Sequence, residues 1–298
     1  MTGKIFALAD VVFGSTTIRQ ITNVDHRTNQ EHRKAMTSGG NAVTQISGKM
    51  AGEVTSITTG DLAAVLALNS NAFVSAGAAV LSGTITVPLK VRSNAGSFVT
   101  GSNFVAISGA NVFAVPTQFE ATQEGDMATC QMDFHWLSTD GLTKGADDAT
   151  GQSLAAQSFN AEFALGPAYI NGTLIDGVQS VRVTPGIEVT KPPLGSGSVW
   201  PKYAMIKTVQ PTIEITVNDF DAIVATVGDW TAMTSANIYF RKRADSGVYS
   251  SSSDNVRFTF AAGLTDTNSV TVSNQDDGSG VITLHGKVLT ANPAVALP

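Results

Sequence analysis

The sequence predicts a mainly β protein built of two similar antiparallel β-sandwich or barrel domains, each with a short flanking helix. Three observations support this prediction. Short stretches of alternating polar and apolar residues recur along the chain between turn-forming residues, as is typical of half-buried strands. Charged residues make up only 14% of the 298 residues, and the abundance of small and β-branched residues favours sheets over long helices. The third observation is an internal repeat.

The repeat is clearest between residues 85–138 and residues 238–290. Each stretch carries an arginine, a glycine four residues later and an aromatic residue two further on. These residues are Arg92, Gly96 and Phe98 in the first stretch and Arg243, Gly247 and Tyr249 in the second. Each stretch also closes on an alternating segment that contains a histidine, His135 or His285.

Weaker matches continue upstream in the same order. The segment 14–19 matches 177–182 in a Gly-x-x-x-[Ile/Val]-Arg pattern, and Glu53 matches Glu214. Matches that keep their order along a chain indicate duplication. The sequence therefore predicts two domains, residues 1–145 and 146–298, which meet in a stretch rich in turn-forming residues.

The opening residues 5–24 read as a hairpin, and residues 25–42 read as a long exposed loop because they are polar and lack periodicity. Residues 191–201 are an irregular counterpart in the second half. Both loops contain residues that suit contact with a neighbouring subunit. These residues are His32, Arg33, Met36, Leu194 and Trp200.

Further along, residues 43–57 and 207–217 alternate as strands should. A short helix is predicted after each of them. The first is Leu62–Leu68, capped by Asp61, and the second lies at 220–225. In the second half, Asn171-Gly172 predicts a type I′ hairpin turn.

The residue types that carry chemistry do not form a catalytic or metal-binding pattern in this sequence. The nucleophile elbow and the phosphate-binding glycine motifs are absent. Cys130 is expected to be a buried thiol, and His26 and His32 to be solvated loop residues. Because His135 and His285 occupy matching places in the repeat, we expect a structural role played twice. The sequence therefore predicts no enzyme activity, no metal and no cofactor.

Charge and hydropathy exclude other classes of protein. The net charge of −6 and a pI near 5.1 argue against a nucleic-acid binder, which needs a basic surface to neutralise phosphates. The apolar run before Asp10 is too short for a signal peptide. No stretch has the length of a membrane helix. The expectation is a protein made in the cytoplasm that does not bind a membrane.

The order of sheet, irregular loop, strand, short capped helix and closing antiparallel strands resembles the tail tube proteins of tailed bacteriophages and the related tubes of contractile injection systems. The closing strands from Phe258 to Val288, with His285-Gly-Lys287, carry the resemblance best. It implies a virion structural protein whose strands join those of its neighbours around a channel. Members with two tube domains in one chain form trimeric, pseudo-hexameric rings. The implied partners are further copies of the chain and other tail proteins, and DNA passes through without specific binding.

The matched Glu53 and Glu214 are then expected to face the lumen and repel the DNA backbone. Two alternatives remain open. One is a baseplate or tail-tip hub, which resembles the same family. The other is a glycan-binding β-sandwich adhesin, although Trp136, Trp200 and Trp230 are not grouped in the sequence as an aromatic binding face would need.

Overall fold

The fold is described from a computed structural model, which places residues 5–36, 43–68, 81–92, 104–123, 127–152, 161–191, 198–218, 232–243, 247–250, 253–271 and 279–298. These residues form 21 strands and one helix. The predicted mainly β class is therefore confirmed, and all the strand pairs are antiparallel.

The first half of the chain contributes nine strands and the helix. They are β1 (Ile5–Leu8), β2 (Val11–Phe13), β3 (Thr16–Ile18), β4 (Ile21–Met36), β5 (Val43–Thr59), α1 (Leu62–Leu68), β6 (Leu81–Arg92), β7 (Phe104–Thr122), β8 (Thr129–Trp136) and β9 (Asp147–Gln152).

The second half contributes twelve strands. They are β10 (Glu162–Ile170), β11 (Thr173–Ile175), β12 (Val178–Thr184), β13 (Ile187–Thr190), β14 (Met205–Val209), β15 (Thr212–Val217), β16 (Ala232–Met233), β17 (Ala236–Arg243), β18 (Asn255–Phe260), β19 (Gly263–Thr271), β20 (Ser279–Gly286) and β21 (Leu289–Val295).

The largest sheet runs through both halves of the chain. It contains 14 strands, and its pairing from β4 through β5, β8, β7, β12, β15 and β20 to β19 defines an eight-strand path. A five-stranded sheet has the order β11-β10-β17-β18-β21, and β13 and β14 form a separate pair. The described sheets are open paths rather than closed barrels. The pairing of β7 with β12 crosses the boundary predicted near residue 145.

Two layers of sheet enclose the core in each half. In the first half, Phe13 on β2 contacts Phe134 on β8, with ring centroids 5.8 Å apart. In the second half, Phe258 on β18 lies 5.0 Å from Phe119, which comes from β7 of the first half. The buried residues of both halves form one contiguous cluster. Full burial of one such aromatic ring contributes roughly 1.5–3 kcal/mol, so the shared ring ties the two layers together.

The helix α1 has the predicted bounds, Leu62–Leu68. Asp61 caps it, since its Oδ1 accepts a hydrogen bond from the Ala64 N–H at 3.2 Å. Leu62, Val65 and Leu66 are buried and form its apolar stripe. Residues 220–225, where the second helix was predicted, lie outside the described residues.

The predicted turn between β10 and β11 is confirmed. Asn171 and Gly172 both have positive φ, 52° and 81°, as a type I′ turn requires. The equivalent hairpin of the first half, between β2 and β3, turns at Gly14 with φ 59°. Cys130 is a fully buried thiol, also as predicted.

The prediction of a loop over residues 25–42 is wrong for residues 25–36. They belong to β4, which pairs with β5 as far as Met36 and Val43. Residues 43–53 of β5 have no described partner strand other than β4. We call this part of the hairpin, residues 28–36 with 43–53, the arm; it is two-stranded. The sequence of residues 25–36 lacks the polar and apolar alternation that reveals half-buried strands.

The two halves have matching strand ladders. In the outer layer, Ile5 pairs with Arg92 and Glu162 pairs with Arg243 in the same place. The first half breaks its strand between Leu8 and Val11, where the second half has an irregularity between Leu165 and Ala168.

The inner layers also match residue by residue. The partner of Val54 is His135, and the partner of Thr212 is His285. Bulges recur at matching places, after Ile21 in β4 and after Val178 in β12. A further pair of bulges follows Pro116 in β7 and Thr267 in β19. A bulge adds an unpaired residue to one strand, so its recurrence fixes which positions of the two halves correspond.

Candidate assembly surface

The junction between the halves is an antiparallel pairing of the end of β7 with β12. Its register places Glu120 opposite Arg182 and Phe119 opposite Val183. Arg182 is in turn opposite Glu214 on β15. The junction therefore has one polar face and one apolar face, as alternation along strands requires.

The polar face carries a short charge ladder. The Arg182 guanidinium lies 3.4 Å from a Glu120 carboxylate oxygen and 3.7 Å from one of Glu214. All three side chains are at least about one-third exposed, so each ion pair contributes only about 0–1 kcal/mol. The opposite face, with Phe119, Val181 and Val183 fully buried, holds the register more strongly because a one-residue slip would expose it.

The same path ends in two strands with an open edge. At one end β4 pairs only with β5, and at the other β19 pairs with β20 and, at Gly263 and Leu264, with β16. Among the described strands, nothing pairs with the remaining edge of either. By the matching ladders, β4 corresponds to β12 and β19 to the end of β7. The two open edges are thus the counterparts of the two edges that already pair at the junction.

Beside the junction, the first half contains a row of three side chains across β5, β8 and β7, of which the two outer ones are buried and the middle one is half-buried. We call Val54, His135 and Phe113 the covered row; these residues are directly opposite one another in the ladder. The His135 and Phe113 rings lie 6.1 Å apart, and Phe113 is only 1% exposed. Such a row on the face away from the core needs a cover.

The second half contributes a cover at the Val54 end of this row, through Lys191 and Pro201. The Lys191 ammonium donates a hydrogen bond to the Glu53 carbonyl oxygen at 3.3 Å. A Cβ added at Gly52 would meet the Lys191 Nζ at 2.8 Å and Pro201 Cγ at 2.9 Å. The Ser138 N–H also donates to the Pro201 carbonyl at 2.8 Å. Lys191 and Pro201, which lie in the connection between β13 and β14, are therefore packed against the first half.

Burial perturbs the charges at this contact. Desolvation, with the nearby charges of Lys191 and Arg27, lowers the pKa of His135 to about 3, so its imidazole is neutral at pH 7. Desolvation lowers the pKa of Lys191 to about 8, although Glu53 and Asp133 oppose the shift. No described group hydrogen-bonds the buried His135 Nδ1. Lys191 and His135 both lie where the second half packs against the first, so the arrangement is suited to packing.

The matching row of the second half is open. We call Thr212, His285 and Leu264 the open row; they are directly opposite one another on β15, β20 and β19. Leu264 is 59% exposed, whereas its counterpart Phe113 is buried. The two halves thus present the same ladder in different surroundings.

The prediction that Glu53 and Glu214 occupy equivalent places is wrong, and the prediction that Glu214 faces a lumen stays a prediction. Glu53 is 4% exposed, and its Oε2 accepts a hydrogen bond from the Ala146 N–H at 3.0 Å. In the ladders the residue equivalent to Glu214 is Ser56, because Ser56 pairs with Asp25 as Glu214 pairs with Arg182. The sequence match was three residues out of register, and an odd shift moves a side chain to the other face of the sheet. Glu214 remains on the solvent face.

The predicted inter-subunit residues are placed as follows. His32, Arg33 and Met36 lie on the arm strand β4 rather than in a loop, and Leu194 lies outside the described residues. Trp200 is half-buried, and its backbone N–H donates a hydrogen bond to the Gly141 carbonyl of the same chain at 3.0 Å. The prediction that these segments contact a neighbouring subunit stays a prediction.

Sequence reasoning missed Glu120, Arg182 as a junction residue, and Lys191. Arg182 was noticed as part of a repeated pattern, but that pattern matched it to Arg19, whereas the ladders match it to Asp25. A search for equal bulge spacing would not help, because bulges leave no fixed residue type.

No family model and no curated protein matches this chain. In the part of the chain that the structure describes, no helix has the length and apolar character needed to cross a membrane. Among the same residues, no group of three or more histidine, cysteine or acidic side chains is placed to hold a metal ion.

Proposed function

We propose that this chain is an internally duplicated structural subunit that joins further copies of itself edge to edge to form a ring. The supporting observation is the junction between β7 and β12. The chain already contains one complete pairing between the last strand of one inner layer and the first strand of the next. Its two open edges are the counterparts of these paired strands, since β19 corresponds to the end of β7 and β4 corresponds to β12. The β19 edge of one copy can therefore pair with the β4 edge of another.

The matching bulges support the duplication itself. Two halves that diverged from one ancestor keep their register, whereas unrelated sheets have no reason to place four irregularities alike. The domains, residues 1–145 and 146–298, are then two copies of one β-sandwich that share a sheet at the junction.

Ring closure also explains how open edges are tolerated. A long open strand edge is a template for aggregation, and closure of a sheet removes it. With six domains to a ring, three chains are needed. The polar face, which carries Glu120, Arg182 and Glu214, then lines the channel because the other face is covered by the five-stranded sheet.

The corresponding biological role is that of a tail tube subunit of a tailed bacteriophage, whose stacked rings deliver the genome. The acidic chain, with net charge −6, fits a channel through which DNA passes without binding. Other tail proteins bind the ends of the tube. A hub of similar fold is the competing assembly, and it forms one ring rather than a stack.

Paired cysteines test the edge-to-edge contact. The junction pairs Glu120 with Arg182, and the equivalent positions at the open edges are Thr271 and Asp25. Opposite residues of antiparallel strands have Cβ atoms about 4.5–5.5 Å apart. We expect Asp25→Cys with Thr271→Cys to give disulfide-linked dimers and trimers on mild oxidation, seen as a ladder on a non-reducing gel.

The matched control is Glu120→Cys with Arg182→Cys, which should form its disulfide within one chain and add no mass. Val24→Cys with Thr271→Cys is the off-register control, since neighbouring residues point to opposite faces. If the control forms its internal disulfide but Asp25→Cys with Thr271→Cys gives no intermolecular ladder, the edge contact is refuted. Negative-stain microscopy then separates a stack of rings from a single ring.

A further inference from the structure

The covered row and the open row differ in what lies over them. At the Val54 end of the covered row, Lys191 and Pro201 pack against Gly52 and Glu53, and the Lys191 charge acts on His135. In the described part of the chain, no counterpart of this segment lies over the open row, where Leu264 is 59% exposed. A leucine in that position loses the burial that its counterpart Phe113 has.

The strand order explains why the cover reaches the row that it does. Lys191 and Pro201 lie in the connection between β13 and β14, a pair that continues from β12 and β15. Strand β12 is the immediate neighbour of β7, on which Phe113 lies. This cover therefore lies over the inner layer on the far side of β12, the first strand of its own half of the path.

The segment of the first half that corresponds to this cover is the arm of β4 and β5. Lys191 lies nine residues after Arg182, and Lys34 lies nine residues after the equivalent Asp25. Pro201 lies thirteen residues before Glu214, and Val43 lies thirteen before the equivalent Ser56. The arm is thus placed in its own half as the cover is placed in the second.

This arm is too far away to cover the open row of its own chain. Five strand spacings separate β5 from β20 along the path, a distance of about 24 Å. In a second copy whose β4 pairs with this chain's β19, however, the arm starts one strand away from the row. The open row is then related to that arm as the covered row is related to Lys191 and Pro201.

We propose that the open row, Thr212, His285 and Leu264, is the docking surface for the β4–β5 arm of a second copy of the chain. This proposal rests on the edge-to-edge assembly proposed above and adds its second contact. The backbone positions Lys34 and Val43 of the second copy lie over the row, and Leu264 becomes buried. The contact locks the orientation of neighbouring copies, which strand pairing alone leaves free to twist.

The test uses a charge placed in the row of the full-length chain. Leu264→Asp should leave the isolated chain folded, because the side chain is exposed there, and should raise the concentration needed for half-assembly by about tenfold or more, as expected for a residue central to an interface. Leu174→Asp is the matched control, since Leu174 is 45% exposed on the edge strand β11 of the other sheet. We expect it to assemble like the unaltered chain. Light scattering across a dilution series measures both.

A photo-reactive phenylalanine analogue in place of Leu264 identifies the occupant. Mixing isotope-labelled and unlabelled chains distinguishes adducts between chains from adducts within one. We expect intermolecular adducts in residues 29–52 of the partner chain. If the Leu264→Asp variant forms rings at the same concentration as the unaltered chain, or if the adducts lie in another segment, the arm contact alone is overturned. A chain that stays monomeric and gives no ladder from Asp25→Cys with Thr271→Cys would overturn both proposals.

Discussion

The covered row of the first half and the open row of the second occupy equivalent positions in the strand ladders but differ in their exposure to solvent. Phe113 is 1% exposed and Leu264 is 59% exposed. The difference arises because the covalent chain supplies a neighbour on one side only. Positions that match in register therefore do not match in energy until the missing neighbour is present, and substitutions in the two rows should separate the two contributions.

The largest effect is expected from truncation of the covered row. Phe113→Ala should lower the free energy of unfolding of the isolated chain by about 3–5 kcal/mol, because it leaves a cavity at a buried site. Leu264→Ala should change it by no more than about 0.5 kcal/mol, as at other exposed sites. Urea denaturation measures both. Equal losses would mean that the open row is buried in the monomer.

A smaller effect is expected where the cover touches the sheet. Gly52 has φ 98°, and a Cβ there would collide with Lys191 and Pro201, so Gly52→Ala should cost about 1–3 kcal/mol. Gly172→Ala is the matched control, since φ is 81° but nothing lies within 4 Å; it reports backbone strain alone.

The rate at which the Lys191 amine reacts with an amine-reactive label gives a second measurement of whether the cover is displaced. Its reactivity should rise in Gly52→Ala and stay unchanged in Gly172→Ala, because only the first substitution displaces the cover. Equal reactivity in the two variants would show that the cover does not depend on the space at Gly52.

The smallest effect is expected at the charge ladder of the junction. Arg182→Ala should lower the free energy of unfolding by about 0.2–1 kcal/mol at low salt, since its ion pairs are exposed. High salt should shrink the loss further. Thermal unfolding at two ionic strengths checks this. A loss above about 2 kcal/mol, beyond the usual range for exposed pairs, would make the ladder more important to the junction than its buried face.

The parts of the fold that depend on local pattern were predictable. Helix α1 follows from an apolar stripe behind Asp61, and the hairpin at Asn171 and Gly172 follows from residues that tolerate positive φ. The outer part of strand β4 was missed because residues 25–36 lack the polar and apolar alternation by which half-buried strands are recognised.

The candidate site was less predictable because it depends on register between distant segments. Glu53 and Glu214 look alike in sequence, yet three residues of misalignment place them on opposite faces of the sheet. The cover over His135 comes from Lys191, more than fifty residues further along the chain, and no local pattern announces it. Such contacts follow from the order of strands rather than from composition.

The position of Phe119 also bears on how the chain unfolds. This side chain belongs to the first half but is buried against Phe258 in the second core, and the Ala128 N–H donates to the Phe163 carbonyl across the same boundary. Domains usually fold as independent units, but here removal of either half would strip the other of core atoms and expose a strand edge. The two halves therefore constitute one cooperative unit, and a cut at the sequence boundary would yield fragments that aggregate rather than two stable domains.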